Sequence, residues 1–330
     1  MQRKELDMWR NHPFAFGIIA ITVAAILFGV AGALAKVLFH ADISPLDLTA
    51  VRSIVACAVF SLAMLLTQPG VFRIKKSALP LLIATGLAFT AVNITFYYAI
   101  SMISVAAAIT LEYTAPFFVL LISVVSASRR VDARDVGIVA LSVAGCFLLT
   151  GGEAELFSLN AGVLVGLACG LAFAVFNMLG NACKRRGVGA TTVTLYAFLI
   201  SSALWLAALP TLTVHEIDYS GDVILYIAFI AIIATIIPYW LLMYGLRHVD
   251  ALPATIIGMF DPLVAGLVAY ALVGERLTVV NMVGIGVIIV AVCLITIKEK
   301  NAPSSSQKNN AKKAPDESSG TLQEPTQNAY

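Results

Sequence analysis

The sequence predicts an all-α membrane protein whose ten transmembrane helices form two inverted five-helix repeats. Three observations carry that expectation. Of 330 residues, 60% are hydrophobic and only 12% are charged, with a mean hydropathy of +0.92; a soluble domain has a very different balance. Apolar stretches near or above the roughly 20 residues needed to cross a bilayer recur along the chain with short connections between them. The later stretches also echo the earlier ones at a fixed offset.

The first stretch, 14–38, follows Arg3, Lys4 and Arg10 and ends near Ala33-Leu34-Ala35, a pattern that imitates a secretory signal. Its apolar run is about twice the usual length of a signal core, so it reads as an uncleaved span. The second, 45–67, opens at Ser44-Pro45, a capping residue before a proline at the first helical position. Spans follow at 78–99 and 104–127, the latter with Pro116 at its middle, and then at 134–151 after an Asp132-x-x-Asp135 cap.

In the second set, 160–181 carries Gly162, Gly166 and Gly170, small residues that permit close helix contact. Packing within the monomer is expected of them, and a homodimer is the alternative. Next come 190–211, 222–245 and 251–273, the last with Asp250 before it and Pro262 inside it; 279–297 opens at Thr278-x-x-Asn281 and holds Gly284 and Gly286. Four parts are expected: a cytoplasmic N-terminal segment at 1–13, repeats at 14–151 and 160–297, and a disordered cytoplasmic tail at 298–330. That tail is rich in Ser, Asn, Gln, Lys and Pro and has no apolar periodicity. Cys57, Cys146, Cys169, Cys183 and Cys293 fall in or at the ends of spans without metal-ligand spacing.

Orientation follows from the rule that Lys and Arg accumulate in cytoplasmic connections. Alternating spans place 18 of the 21 basic residues on one face, leaving Arg276 alone on the other and Lys36 and Arg52 within spans. The opposite face holds Asp42, Glu153, Glu155, Glu216, Asp218 and Asp222, the acids that remain when bases are excluded. Both termini are therefore expected in the cytoplasm, with the chain multi-pass in the cell (inner) membrane.

A shift of 146 residues sets Tyr98 on Tyr244, Ala108 on Ala254, Pro116 on Pro262, Leu121 on Leu267 and Arg130 on Arg276; one further residue brings Gly137 onto Gly284. Identity in so biased a composition carries little weight. The weight lies in a mid-span proline meeting a mid-span proline. Since five is odd, the second half enters the membrane from the opposite face, an arrangement that commonly places a substrate site near the midplane between the repeats.

Ser44-Pro45-Leu46-Asp47, Arg52 in span two, Asp261-Pro262 in span nine, and Gly274-Glu275-Arg276-Leu277-Thr278 leading to Gly284 resemble the drug/metabolite transporter superfamily, EamA type. The resemblance covers about residues 14–297, with Ser128-Arg129-Arg130 departing from the Gly-Glu of many first repeats. It implies a bacterial-type inner-membrane carrier, often an exporter of amino acids or related metabolites, with a cavity lined mainly by spans one, three, four, six, eight and nine.

The residues themselves supply candidates. An ionisable group deep in a span costs on the order of 2.5–3.5 kcal/mol on insertion scales and by default marks a pathway or a partner. Glu112 and Asp261 are such groups, each about 8–10 residues into its span at roughly 1.5 Å per residue, so they approach the midplane from opposite sides. Either can carry a proton as the cavity alternates; the competing role is to bind backbone groups freed by the kinks at Pro116 and Pro262. Arg52 resembles the family's span-two arginine and can pair with Asp47, with an inner acid or with a substrate carboxylate, whereas Lys36 has the position of a snorkelling residue.

Asn93 and Tyr97 share a face of span three, and with Asn177 and Trp240 they suit a cavity for a small polar metabolite with an apolar part. Tyr98 and Tyr244, at span ends, suit an interfacial belt.

No G-x-x-x-x-G-K-[ST] loop occurs, so a gradient or exchange is the expected energy source. The expected function is secondary transport of small metabolites, most readily amino acids, by alternating access and in the direction of export. Multidrug efflux of lipophilic cations is the runner-up. A membrane-embedded enzyme is more distant, because His12, His40, His215 and His248 are scattered in separate end segments. A catalytic role, a cofactor, a metal and a nucleic-acid partner are all unexpected; the partners foreseen are a small-molecule substrate and the lipid bilayer.

Overall fold

The computed structural model describes residues 13–39, 43–103, 105–126, 131–149, 160–214, 217, 219–273 and 278–301. The expectations for the N-terminal segment, the tail from 302, Ser128-Arg129-Arg130, the 150–159 connection and Gly274-Glu275-Arg276-Leu277 lie outside the described residues, as does the side chain of Lys36.

Among the described residues the chain is helical throughout its apolar segments. The helices are α1 (Pro13–Phe39), α2 (Pro45–Thr67), α3 (Leu79–Ile100), α4a (Val105–Glu112) with α4b (Ala115–Val125), and α5 (Ala133–Leu149). The second set is α6 (Ala161–Arg185), α7 (Ala190–Ala208), α8a (Gly221–Ala231) with α8b (Ile237–Leu246), α9a (Ala251–Ile257) with α9b (Phe260–Val273), and α10 (Val279–Asn301). Eight of the resulting segments are long and apolar enough to cross a membrane; α5 and the broken α9 are shorter.

The helices are interrupted at three places, two of them beside the prolines at which kinks are expected. Span four breaks at Tyr113-Thr114, span nine breaks at Gly258-Met259, and span eight contains a π turn over Ile232–Ile236. Proline lies just beyond each irregularity, at Pro116, Pro262 and Pro238. Its missing N–H leaves a carbonyl one turn earlier without its helical donor, and its ring crowds that carbonyl. In the π turn, the Thr235 hydroxyl donates to the Ile230 carbonyl at 2.7 Å.

Other ends follow their capping chemistry. Asp135 N–H donates to Asp132 Oδ1 at 2.9 Å, Thr278 N–H to Asn281 Oδ1 at 2.8 Å, and Val163 N–H to Asn160 Oδ1 at 2.9 Å. Ser44 and Asp250 precede their helices without a side-chain cap bond.

The packing carries the repeat. α3 packs on α6 as α8 packs on α1, α4 on α6 as α9 on α1, and α3 on α7 as α8 on α2, while α2 faces α7 and α5 faces α10. Exchanging the first five helices with the last five therefore reproduces the contact pattern. Cross-links show the inversion: Lys298 at the end of α10 binds Asp135 at the start of α5 at 2.6 Å, and Asn281 at the start of α10 donates to the carbonyl of Leu149 at the end of α5 at 2.7 Å. α5 and α10 are thus antiparallel.

Leu62, Leu66, Leu121, Val125, Leu225 and Ile297 are exposed on the outside of the bundle, whereas Asp47, Arg52, Asn93, Asp135 and Asn177 are buried. Apolar outside and polar inside is the reverse of a soluble domain, and it fits a lipid surround. The glycine stripe of α6 packs within the monomer. A Cβ on Gly166 would stand 2.4 Å from Leu111 Cδ1, and one on Gly162 would stand 2.6 Å from Ile103 Cγ2.

Candidate functional site

The two breaks meet at the centre of the bundle. In span four, Thr114 N–H donates to the Leu111 carbonyl at 3.1 Å and its hydroxyl donates to the same oxygen at 2.6 Å. In span nine, Met259 N–H donates to the Ile256 carbonyl at 3.1 Å and Asp261 N–H to the Gly258 carbonyl at 2.9 Å. Both chains thus tighten to i→i+3 bonds where proline forbids the regular ladder.

Each break is pinned by a glycine on the first helix of the other repeat. A Cβ on Gly170 of α6 would lie 2.4 Å from Thr114 Oγ1, and one on Gly29 of α1 would lie 2.6 Å from the Asp261 carbonyl oxygen. Any larger residue would push the broken strands of backbone apart.

The break in span nine sets Asp261 in the first turn of α9b, where free backbone N–H groups favour a carboxylate. The break in span four sets Tyr113 opposite it, and the Tyr113 hydroxyl donates to Asp261 Oδ2 at 2.7 Å. This bond joins the two repeats. Glu112, the last residue of α4a, lies in electrostatic range of both Asp261 and Arg52.

Arg52 comes from α2 and is buried. Its Nη2 donates to Asn93 Oδ1, its guanidinium carbon lies 4.9 Å from the centre of the Tyr97 ring, and its Nε is buried without a partner. Asn93 is held in that orientation because its own Nδ2 donates one turn back, to the Phe89 carbonyl at 2.7 Å. Tyr239 of α8b completes the group. Its ring packs edge-on against Phe28 at 4.7 Å and Phe89 at 4.6 Å, and its hydroxyl lies in range of Arg52, Glu112, Tyr97 and Asn93. A narrow, apolar crevice adjoins Tyr113 and is bounded by Ile21, Ala24, Phe28, Phe173, Leu242 and Gly258.

The structure thus brings together Arg52, Asn93, Tyr97, Glu112 and Asp261 from the sequence candidates, with Pro116 and Pro262 at the breaks. The other two make hydrogen bonds elsewhere. Asn177 is fully buried and donates to the Phe173 carbonyl at 2.9 Å, with its Oδ1 unpartnered. Trp240 lies apart, donating to Thr191 Oγ1 at 3.0 Å and stacking on Tyr244 at 5.8 Å.

The pairing of Arg52 with Asp47 is corrected: Asp47 accepts from Thr213 N–H at 3.0 Å and from the Thr213 hydroxyl at 2.5 Å, tying the start of α2 to the connection after α7. Sequence reasoning missed Tyr113 and preferred Trp240 to its neighbour Tyr239. A signal for Tyr113 existed, since a phenol inside a span sits beside both an acid and a helix-breaking proline.

Broken helices crossing at a buried polar centre, within two inverted repeats, define a membrane transporter. Residues 15–151 and 160–297 each match the EamA-like transporter family, and the chain belongs to that family. It is 30% identical to an uncharacterized transporter of Archaeoglobus fulgidus over 62% of this chain and 72% of that protein. It is 28% identical to the threonine/homoserine exporter RhtA of Escherichia coli K12 over 86% of this chain and 92% of that protein. The uncharacterized transporter YwfM of Bacillus subtilis is 24% identical over 86% of this chain and 96% of its own length. A solved crystal structure superposes with a TM-score of 0.72 at 18% identity, over 88% of this chain and 98% of the other, which shows the shared fold. The protein is a multi-pass membrane transporter and not an enzyme.

Proposed function

We propose that this protein is a secondary carrier of small metabolites, most readily amino acids, and that it works as an exporter by alternating access in the cell's inner membrane with both termini in the cytoplasm. The observation that carries this reading is the polar centre at the crossing of the two broken helices, where Tyr113 of one repeat binds Asp261 of the other and Glu112 lies in electrostatic range of Asp261 and Arg52. The similarity to RhtA over most of both chains supports the amino-acid class. The distribution of Lys and Arg supports the orientation.

Alternation would rock one repeat against the other about this centre, with Glu112 as the first candidate to carry a coupled proton. The test is counterflow in proteoliposomes holding the full chain, with labelled threonine, homoserine, leucine and tetraphenylphosphonium presented in turn, with and without a pH gradient. Saturable counterflow of amino acids alone is the expected result. Movement of tetraphenylphosphonium with no amino-acid counterflow would overturn it in favour of multidrug efflux.

A further inference from the structure

We infer that Arg52 is the anchor for the carboxylate of the carried molecule, so that the site selects free amino acids over their amides and amines. The inference rests on the carrier reading above and adds the direction in which the substrate lies.

A buried guanidinium needs a counter-charge and a full set of acceptors. Here Arg52 is 6% exposed and, among the described residues, has no carboxylate in direct contact and an incomplete set of acceptors. Among the described residues no carboxylate comes within ion-pair distance of it. Its contacts are neutral, the Asn93 amide oxygen and the face of Tyr97. Its Nε, which forms one edge of the planar fork, is buried and unpartnered. Asp47, five residues earlier on the same helix, is taken up by Thr213.

The surroundings hold this cation in place. Asn93 is fixed by the Phe89 carbonyl, and the Tyr97 ring is clamped edge-on by Phe96 at 5.3 Å and Phe39 at 6.1 Å. A side chain free to snorkel would not be built into such a frame. The unpaired edge has the fork geometry that arginine offers to planar, two-oxygen anions; it is closed off here, so a carboxylate reaches it once the repeats rock apart.

The second charge follows from position. Glu112 lies within electrostatic range of Arg52 but outside ion-pair contact, and the Tyr239 hydroxyl lies in range of both. A zwitterion placed between them presents its carboxylate to Arg52 and its ammonium to Glu112. A plain amine leaves the guanidinium without a counter-charge, and a plain acid leaves Glu112 facing no cation.

The experiment is competition against labelled threonine counterflow in proteoliposomes, using threonine, threoninamide and 1-aminopropan-2-ol on the wild-type protein and on Arg52→Gln and Arg52→Lys. Wild type should prefer threonine to its amide by about tenfold or more, the range of a charge-assisted hydrogen bond. Arg52→Gln should reduce that ratio to near unity, and Arg52→Lys should retain part of it. Equal competition by the amide in wild type would overturn the anchor and leave the carrier standing. So would an Arg52→Gln variant that weakens both ligands equally, as a merely structural residue would. Absence of counterflow for every amino acid tried would overturn both readings.

Discussion

Two helix pairs in this bundle are built to opposite ends. The α5–α10 pair is closed at both ends, with Lys298 bound to Asp132 at 2.7 Å and to Asp135 at 2.6 Å on one side and Asn281 bound to the Leu149 carbonyl on the other. Its helices touch through backbone: a Cβ on Gly284 would stand 2.3 Å from the Leu149 nitrogen. The α4–α9 pair is interrupted in both of its helices. Its two breaks are joined by the Tyr113–Asp261 hydrogen bond. One pair is tied at both ends, and the other has given up backbone bonds at its middle. On the proposed alternating access, the contrast teaches where motion costs least: at the crossing, where backbone bonds are already given up to proline, and not at the seam.

The most drastic way to test the contrast is to disable the crossing chemically while sparing the fold. Glu112→Gln should abolish transport driven by a pH gradient, with melting in detergent close to wild type. A variant with wild-type pH dependence would remove Glu112 from proton coupling.

The seam is tested next by a matched pair on one helix. Gly284→Ala drives a methyl into backbone and should destabilise by about 1–3 kcal/mol, the usual cost of overpacking. Gly286, two residues on, has open space where its Cβ would lie, so Gly286→Ala should be neutral or slightly stabilising through helix propensity. Equal melting temperatures for the two variants would refute the close seam.

A smaller effect is expected from the bond between the breaks. Tyr113→Phe and Asp261→Asn, made singly and together, should show a coupling of about 1 kcal/mol, the scale of one hydrogen bond, read as accessibility of an engineered cysteine in the crevice. A coupling of zero would mean that the two repeats do not communicate through this contact.

Much of this was legible beforehand for a physical reason. Hydropathy and loop charge act over whole spans, so the helical segments and their alternation emerge from many residues at once. The breaks were legible only as kinks, because Pro116 and Pro262 announce a lost donor but not how the chain repairs it. Ser44-Pro45 and Asp132-x-x-Asp135 marked helix starts through local chemistry.

What the sequence withheld were choices of face between adjacent residues. Tyr239 rather than Trp240 turns to the centre because the π turn over Ile232–Ile236 resets the helical phase just before them. Asp47 binds Thr213 rather than Arg52 because the connection after α7 folds back over the start of α2, a contact between residues 166 apart in sequence. Periodicity cannot foresee either.

The smallest expected effect belongs to the staple at the end of the seam. The Lys298 ammonium, with the Asp135 backbone N–H behind it, holds the exposed Asp132 carboxyl down at about 2 from its ordinary 3.8. A carboxyl lowered in the folded state adds stability that is fully present above its unfolded value and is lost as pH falls through the folded one. The gain should therefore be whole near pH 5 and gone near pH 2. Because Asp132 is exposed, salt screens the pair and the gain is modest. Lys298→Met should lower the melting temperature in detergent near pH 5 by less than Gly284→Ala does. The gap from wild type should close as the pH is taken down through about 4 to 2, and it should narrow in high salt. A gap that held constant across that range would show that Lys298 acts on the seam through packing of its stem and not through charge.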